Sequence, residues 1–238
     1  MQILIAAAFF IIWEYCSQHE IINSFIFSSP TKIIRCLIDL HLNNNLWHHI
    51  WTTVKEIIIA FSLGSLIGFS SAIIFYLLPI LKKIFDPFLT LINSLPKVSL
   101  GPLLIIWLGA NTKSIIVMSL LINIIVTIIS IYNGLITTDP YKIKLFKIFK
   151  ASNYQILTKL IIPHNKEIII SSLKLNISMS LIGVIMGEFL VSKAGIGYLI
   201  LYGTQVFNLT LVMSGIILIM VISFIIYEII TLWEKKKN

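Results

Sequence analysis

Apolar residues in this chain come in long runs rather than in alternation. Six runs dominate: residues 2–16, 56–78, 87–108, 114–134, 168–190 and 209–230. A helix needs about 20 mostly apolar residues to cross the hydrocarbon core of a bilayer. Lipid cannot satisfy free backbone groups, so runs of this length are expected to be helices. The first run is the shortest, and it lacks the basic leader and small-residue cleavage site of a secretory signal. It reads as a short first span. The expected fold is all-α: one polytopic membrane domain over residues 1–238 with about six transmembrane helices.

Two polar intervals break the pattern. In residues 17–53, Ser29-Pro30-Thr31 reads as a helix start, followed by an amphipathic helix from Thr31 to Leu42. The interval 135–167 carries six lysines between two apolar runs. Asp139-Pro140 starts a helix there, with Ile143, Phe146 and Phe149 at helical spacing and lysines on the other face. Ser152-Asn153 interrupts it, and a second helix with Ile156 and Leu160 is expected to close at Pro163.

Composition supports a membrane protein. The chain is 58% hydrophobic and 12% charged, with a mean hydropathy of +0.97, and no stretch remains for a soluble domain. The net charge of +8 raises nucleic acid as a partner, but the distribution of charge excludes it. Ten of the eighteen basic residues fall at 82–83, 142–159 and 235–237, each beside an apolar run. That is the signature of cytoplasmic loops. The three clusters agree on one topology: residues 79–86, 135–167 and both termini cytoplasmic, residues 17–53 and 109–113 external. The basic interval suits either anionic lipid headgroups or a cleft on a cytoplasmic partner.

Some residues within the runs stand out. Pro96, Gly101 and Pro102 break the third run, and Lys97 sits at the break. A charge at bilayer depth is costly and usually faces a protein interior or a water-filled route. The alternatives for Lys97 are snorkelling, or pairing with Glu188 or Glu56. Glu188 precedes Gly195-x-Gly197-Tyr198, where glycines permit a tight turn, and it has Lys193 nearby as a possible ion-pair partner. Gly64-x3-Gly68, continued by Ala72, and Gly183-x3-Gly187 are steps for close helix packing. His41, His48 and His49 lack carboxylate or cysteine neighbours at ligand spacing and read as surface histidines. No metal or cofactor is expected, and Cys16 and Cys36 receive no role. Neither a nucleotide-binding Gly-x4-Gly-Lys-Ser/Thr loop nor a protease or hydrolase motif occurs.

Three stretches carry a family resemblance. INSLPKVSLGPLLIIWLGANTKS (92–114) is similar to the Pro-x5-Pro, Trp-x-Gly region of ABC-importer permeases for sulfonates, taurine, nitrate and vitamin precursors. GEFLVSKAGIGYLI (187–200) resembles the Glu-x6-Gly-x-Gly-Tyr stretch of the same family. The basic interval resembles its coupling loop: Ala151, Ser152, Gln155 and Pro163 fit, and Leu160 and Ile162 are close equivalents. Lys144, Leu145 and Phe146 stand where Glu-Ala-Ala would be, and Lys150 replaces a glycine. The likeness runs over roughly residues 28–228.

The resemblance implies a permease subunit of the cell membrane, paired with a second copy, a cytoplasmic ATPase dimer and an external solute-binding protein. Lys147, Lys150, Ala151, Ser152, Gln155, Leu160 and Pro163 would meet the ATPase. Pro96, Lys97, Pro102, Glu188, Gly195, Gly197 and Tyr198 would line the path or its outer gate. The solute would be a small anion, with a pyrimidine vitamin precursor as the alternative. The chain itself would not be an enzyme. An ion-driven carrier and a non-transporting anchor are the rival classes; the former usually places more Asp or Glu within its spans.

Overall fold

The computed structural model describes residues 2–43 and 45–237; side chains at 2–4, 6, 7 and 233–237, including the lysine cluster 235–237, lie outside the description. Helices α1 (Gln2–Gln18), α2 (Ser24–Phe27) and α3 (Pro30–Asn43) precede the long α4 (Leu46–Leu77). Next come α5 (Pro79–Ser94), a 3-10 turn (Lys97–Leu100), α6 (Gly101–Leu108) and α7 (Thr112–Ile136). The basic interval holds α8 (Pro140–Ile148), α9 (Asn153–Ile156), a π turn (Leu157–Ile161) and α10 (Ile162–His164). Helices α11 (Lys166–Val191), α12 (Ile196–Gln205) and α13 (Leu209–Lys237) complete the chain. The described residues form no strand.

Prolines and caps set the boundaries. Leu78 and Leu95 each precede a proline, which disfavours helical backbone, and α4 and α5 end beside them. Asn111 starts α7 by accepting the Lys113 N–H, and Asp139 starts α8 by accepting that of Tyr141. The expected amphipathic helix 31–42 is α3, one residue longer at each end.

The break expected in the third run is present and sharp, with α5 and the segment Lys97–Leu108 meeting at 88°. Pro96 removes a helical donor there and pushes Leu95 out of the α region. Among the described residues four helices are long and apolar enough to cross a membrane, or five if the bent pair counts as one. The first run does form a helix, but α1 has 17 residues. At 1.5 Å per residue that reaches about 26 Å, against a core of about 30 Å. The second span also starts earlier than expected, because α4 takes up residues 46–55 of the polar interval 17–53.

Helix α7 is the centre of the bundle, with α4 on one side and α11 on the other. Gly64 lies against the Asn123 side chain and Gly68 against Thr127, while Ala72 is fully buried with Ile131 and Leu135. From the other side Gly183 lies directly on the Ser119 backbone and Gly187 on that of Ile115. Both glycine steps therefore do what their spacing predicts and let backbones approach closely.

Polar side chains tie the three helices together. Asn123 Nδ2 donates to Ser180 Oγ (2.7 Å) and to the Ala60 carbonyl (3.2 Å). Ser119 Oγ donates to the Ser180 carbonyl, Asn176 Nδ2 donates to Ser65 Oγ, and Ser130 pairs with Ser172. Each such bond inside a membrane bundle contributes about 0.6–2 kcal/mol.

The geometry ranks the glycines. A Cβ on Gly183 would run into the Ser119 backbone, which cannot rotate away, whereas one on Gly68 would press on the Thr127 side chain and meet backbone only at ordinary contact distance, 3.5 Å from the Ile124 carbonyl. Gly183→Val is expected to lower the unfolding midpoint of the detergent-solubilised protein far more than Gly68→Ala, which should cost at most about 1–3 kcal/mol. Equal shifts in a thermal melt would refute this packing.

Candidate functional site

The chain holds two clusters of interest, at opposite ends of the α4–α7–α11 bundle. The first surrounds the start of α12, at the end where α4 begins and α11 stops. A helix start leaves its first N–H groups without partners. Here three side chains take them in order: Gly195 N–H donates to His49 Nδ1 (3.1 Å), Ile196 N–H to Thr53 Oγ1 (2.8 Å) and Gly197 N–H to Glu188 Oε2 (2.6 Å). Thr53 in turn donates its hydroxyl proton to Glu188 Oε1 (2.6 Å). His49 and Thr53 lie four residues apart on one face of α4, so one helix supplies two of the three acceptors.

The glycines follow from this clasp. Gly195 has φ +115 and ψ 167, a conformation open essentially only to glycine, and a Cβ there would overlap the Glu188 carboxylate. A Cβ on Gly197 would lie 2.7 Å from Glu188 Oε2. Glu188 is fully buried and Thr53 likewise. Glu56 is buried nearby, and its Oε2 has no partner among the described residues. A carboxylate at a helix N-terminus also gains from the helix dipole.

Of the expected path residues, the fold gathers Glu188, Gly195 and Gly197 here. Tyr198 stands beside them, stacked on His49 with ring centroids 5.9 Å apart. Pro96, Lys97 and Pro102 are elsewhere, at the 88° bend. Lys97 does not pair with Glu188 or Glu56; its ammonium donates to the Asn93 carbonyl and Oδ1, both at 3.2 Å. The Glu188–Lys193 alternative also fails, since neutral donors occupy both Glu188 oxygens and Lys193 is exposed. His49 is no surface histidine but part of the clasp. The signal available in the sequence was its spacing to Thr53 and Glu56 on one helix.

The second cluster is the basic interval at the other end. Helix α8 ends in a Schellman motif: Ala151 N–H donates to the Phe146 carbonyl (3.0 Å) and Lys150 N–H to that of Lys147 (2.9 Å). Lys150 takes the left-handed position of that motif, with φ 57. The motif wants glycine there, which is what the family pattern carries.

Ser152 and Gln155 cap α9 reciprocally. Gln155 N–H donates to Ser152 Oγ, and Ser152 N–H donates to Gln155 Oε1. Ala151 and Leu160 pack on the cluster of Ala72, Ile131 and Leu135. Pro163 does not close the second helix. Lacking an N–H, it is preceded by the π turn, where Ile162 N–H donates to the Leu157 carbonyl, and the chain continues helically to His164. At the base, buried Asn165 donates to Thr138 Oγ1 (2.6 Å) and the Ile161 carbonyl (2.9 Å), fastening the loop to the end of α7.

What this loop presents outward differs from expectation. Ile143 and Phe146 pack inward, but Phe149 is 76% exposed, alongside Tyr154 at 73% and Tyr141 at 82%. Lys142, Lys144, Lys147 and Lys150 of the same interval are exposed as well. The loop therefore presents an aromatic knob, Phe149, on a stretch of chain rich in exposed lysine.

The chain is thus a helical membrane bundle with glycine-packed spans, a bent helix pair and a structured inter-span loop. The chain belongs to the family of binding-protein-dependent transport system inner membrane components, whose model matches residues 64–238. It is thus a multi-pass, non-enzymatic permease subunit of an ABC importer, which sets aside the carrier and anchor classes. It is similar to a probable ABC transporter permease protein of Haemophilus influenzae, 28% identical over 94% of this chain and 91% of that one. A putative aliphatic sulfonates transport permease of Bacillus subtilis is 23% identical over 98% and 85%. A formylaminopyrimidine transport permease of Halalkalibacterium halodurans is 24% identical over 79% and 74%. Among solved structures, an inward-facing MetNI methionine ABC transporter shares the fold, with a TM-score of 0.72 and 16% identity over 81% of this chain and 96% of that one.

Two substitutions test the geometry. Thr53→Val removes a buried donor and acceptor together and is expected to cost about 1–3 kcal/mol, whereas Thr53→Ser should stay near wild type. Thermal unfolding of both variants checks this. Lys150→Gly should relieve left-handed strain of about 1–2 kcal/mol and raise the midpoint; a lower one would refute the strain.

Proposed function

We propose that two copies of this chain form the path of an ATP-driven importer for a small anion of the sulfonate, taurine or nitrate class. The basic loop is its contact with a separate cytoplasmic ATPase dimer, and the α12 end faces outward toward a solute-binding protein. The observation that carries the docking reading is the aromatic knob. Phe149 and Tyr154 stand exposed on a loop held rigid by a Schellman motif, a capping box and the buried Asn165. Exposed aromatic groups on a braced element that also carries exposed lysines are suited to a partner pocket.

The path is best read as lying between copies. Within one chain most buried polar side chains of α4, α7 and α11 tie the helices together. The bent pair, by contrast, exposes Leu91, Leu95, Val98, Ile106 and Trp107 around Lys97. A second copy packed against that face would put Lys97, Pro96 and Pro102 beside the solute, where a cation suits an anion. In this reading the clasp of Glu188, Gly195, Gly197 and Tyr198 is the outer gate. Both termini and the loop lie in the cytoplasm, with lysines against anionic headgroups. A pyrimidine vitamin precursor is the second reading of the solute, favoured by the similarity to a formylaminopyrimidine permease.

ATP would act by favouring the closed ATPase dimer, which in turn favours one arrangement of the loops. This is a shared two-state equilibrium. The test is affinity purification of the tagged chain from mild-detergent membranes. A stoichiometric ATPase is expected with wild type. Phe149→Ala should lower its retention at least fivefold with no change in the thermal midpoint. Ala151→Arg is expected to uncouple hydrolysis from uptake. Full retention of the ATPase by Phe149→Ala, or unaltered coupled uptake by Ala151→Arg, would count against docking through this loop.

A further inference from the structure

Beside the clasp lies an open cleft of about 690 Å³, walled by Lys32, Arg35 and Asp39 of α3, His49 of α4, and Tyr198 and Tyr202 of α12. Its most telling member is Arg35. The chain has seventeen lysines and one arginine, and this is it. A guanidinium differs in its planar fork, which grips two oxygens of one oxyanion at once, and in its weaker hydration.

Arg35 also has nothing to hold. No hydrogen bond or ion pair occupies it among the described residues, even though Asp39 lies one helical turn away. Lys32, by contrast, is tied at the rim, where its ammonium donates to Ser24 Oγ (3.0 Å).

The opposite wall is flat and aromatic. Tyr198 stacks on His49 at an interplanar angle of 7° and on Tyr202 at 20°, with centroids about 6 Å apart in each pair. Because His49 Nδ1 accepts the Gly195 N–H, the neutral ring carries its proton on Nε2, a further donor. Two cations against one carboxylate leave the cleft positive.

We propose that this cleft is a receptor site for a small organic oxyanion of the sulfonate or carboxylate class. Arg35 forks the acid group, and the body of the molecule lies along Tyr198 and Tyr202. The inference rests on the reading of the far end as the external face of an anion importer, and it adds a specific seat there. The seat shares His49 and Tyr198 with the clasp, so an occupant touches the residues that hold the first turn of α12. Arrival of the anion is thereby linked to the gate.

The experiment uses the permease–ATPase assembly in nanodiscs and saturation-transfer NMR, with ethanesulfonate and taurine as probes and ethanol as the neutral control. Both sulfonates should show transfer and ethanol none. Arg35→Gln should weaken ethanesulfonate binding at least tenfold, and Arg35→Lys about fivefold, because the charge stays but the fork is lost. Asp39→Asn should tighten ethanesulfonate binding, because it removes the carboxylate that opposes the two cations of the cleft. Binding that is indifferent to Arg35→Gln overturns the proposal, as does a wild-type assembly that binds neither sulfonate. If Arg35→Gln instead abolishes capture of the solute-binding protein while neither sulfonate binds, the cleft is a protein-docking surface and the proposal fails. Retention of the ATPase in the same preparation is scored separately, so loss of the importer reading is distinguished from loss of this site.

Discussion

Everything in this fold depends on how closely α4 and α11 can approach α7. In lipid no hydrophobic force drives helices together, because the tails are as apolar as the side chains. Association must come from dispersion contacts and buried hydrogen bonds, and both decay steeply with distance. Gly64, Gly68, Gly183 and Gly187 remove the side chains that would hold the backbones apart. Only then can Asn123 reach both Ala60 on α4 and Ser180 on α11. The glycine steps come first and the polar ties follow from them.

This tight packing constrains where function can sit. A bundle whose interior is filled by glycine contacts and by polar side chains tied mostly to one another has little left inside it for a solute. The chemistry of interest is therefore at its two ends and on its exposed bent pair. At one end a loop of short helices is braced against the α7 terminus by Asn165. At the other, the first turn of α12 hangs from His49, Thr53 and Glu188, so its position is set by α4 and α11 together.

Much of this was legible in the sequence, for identifiable reasons. Apolar run length finds helices, and small residues at i, i+4 find their contact faces, because both are local consequences of geometry. Proline announced the break near residue 96 but not its angle, which tertiary packing sets. The clasp was legible only in part. Glu188 and the two glycines are near one another in the chain, whereas His49 and Thr53 are more than 130 residues away and join through the fold. Helical spacing groups Phe149 with Ile143 and Phe146, yet α8 ends at Ile148, so that spacing no longer governs it. Ala151, Ser152 and Gln155, marked by family resemblance as contact residues, have their side chains engaged within the loop. A motif records that a residue type is needed at a position. It does not say whether the need is for contact or for shape.

The two ends are joined by one rigid element. Helix α11 runs unbroken over 26 residues, about 39 Å at 1.5 Å per residue. It begins beside Asn165 at the loop and carries Glu188 three residues before its other end. A displacement of the loop cannot be absorbed at a hinge within this helix, since it contains no proline and its glycines are wedged against α7. It must appear instead as a tilt or slide of α11 against α7, and Glu188 moves with it. Thr53 stays with α4. The hydrogen bond between Thr53 and Glu188 spans the two bodies and is the natural place for such motion to register. Breaking it would leave a buried carboxylate and two helix-start donors poorly matched, a penalty of about 1–3 kcal/mol for each unsatisfied group. An equilibrium biased by amounts of this size is within the usual range of coupling between distant sites. The same contact that fixes α12 in one arrangement thus gives the other arrangement a defined cost.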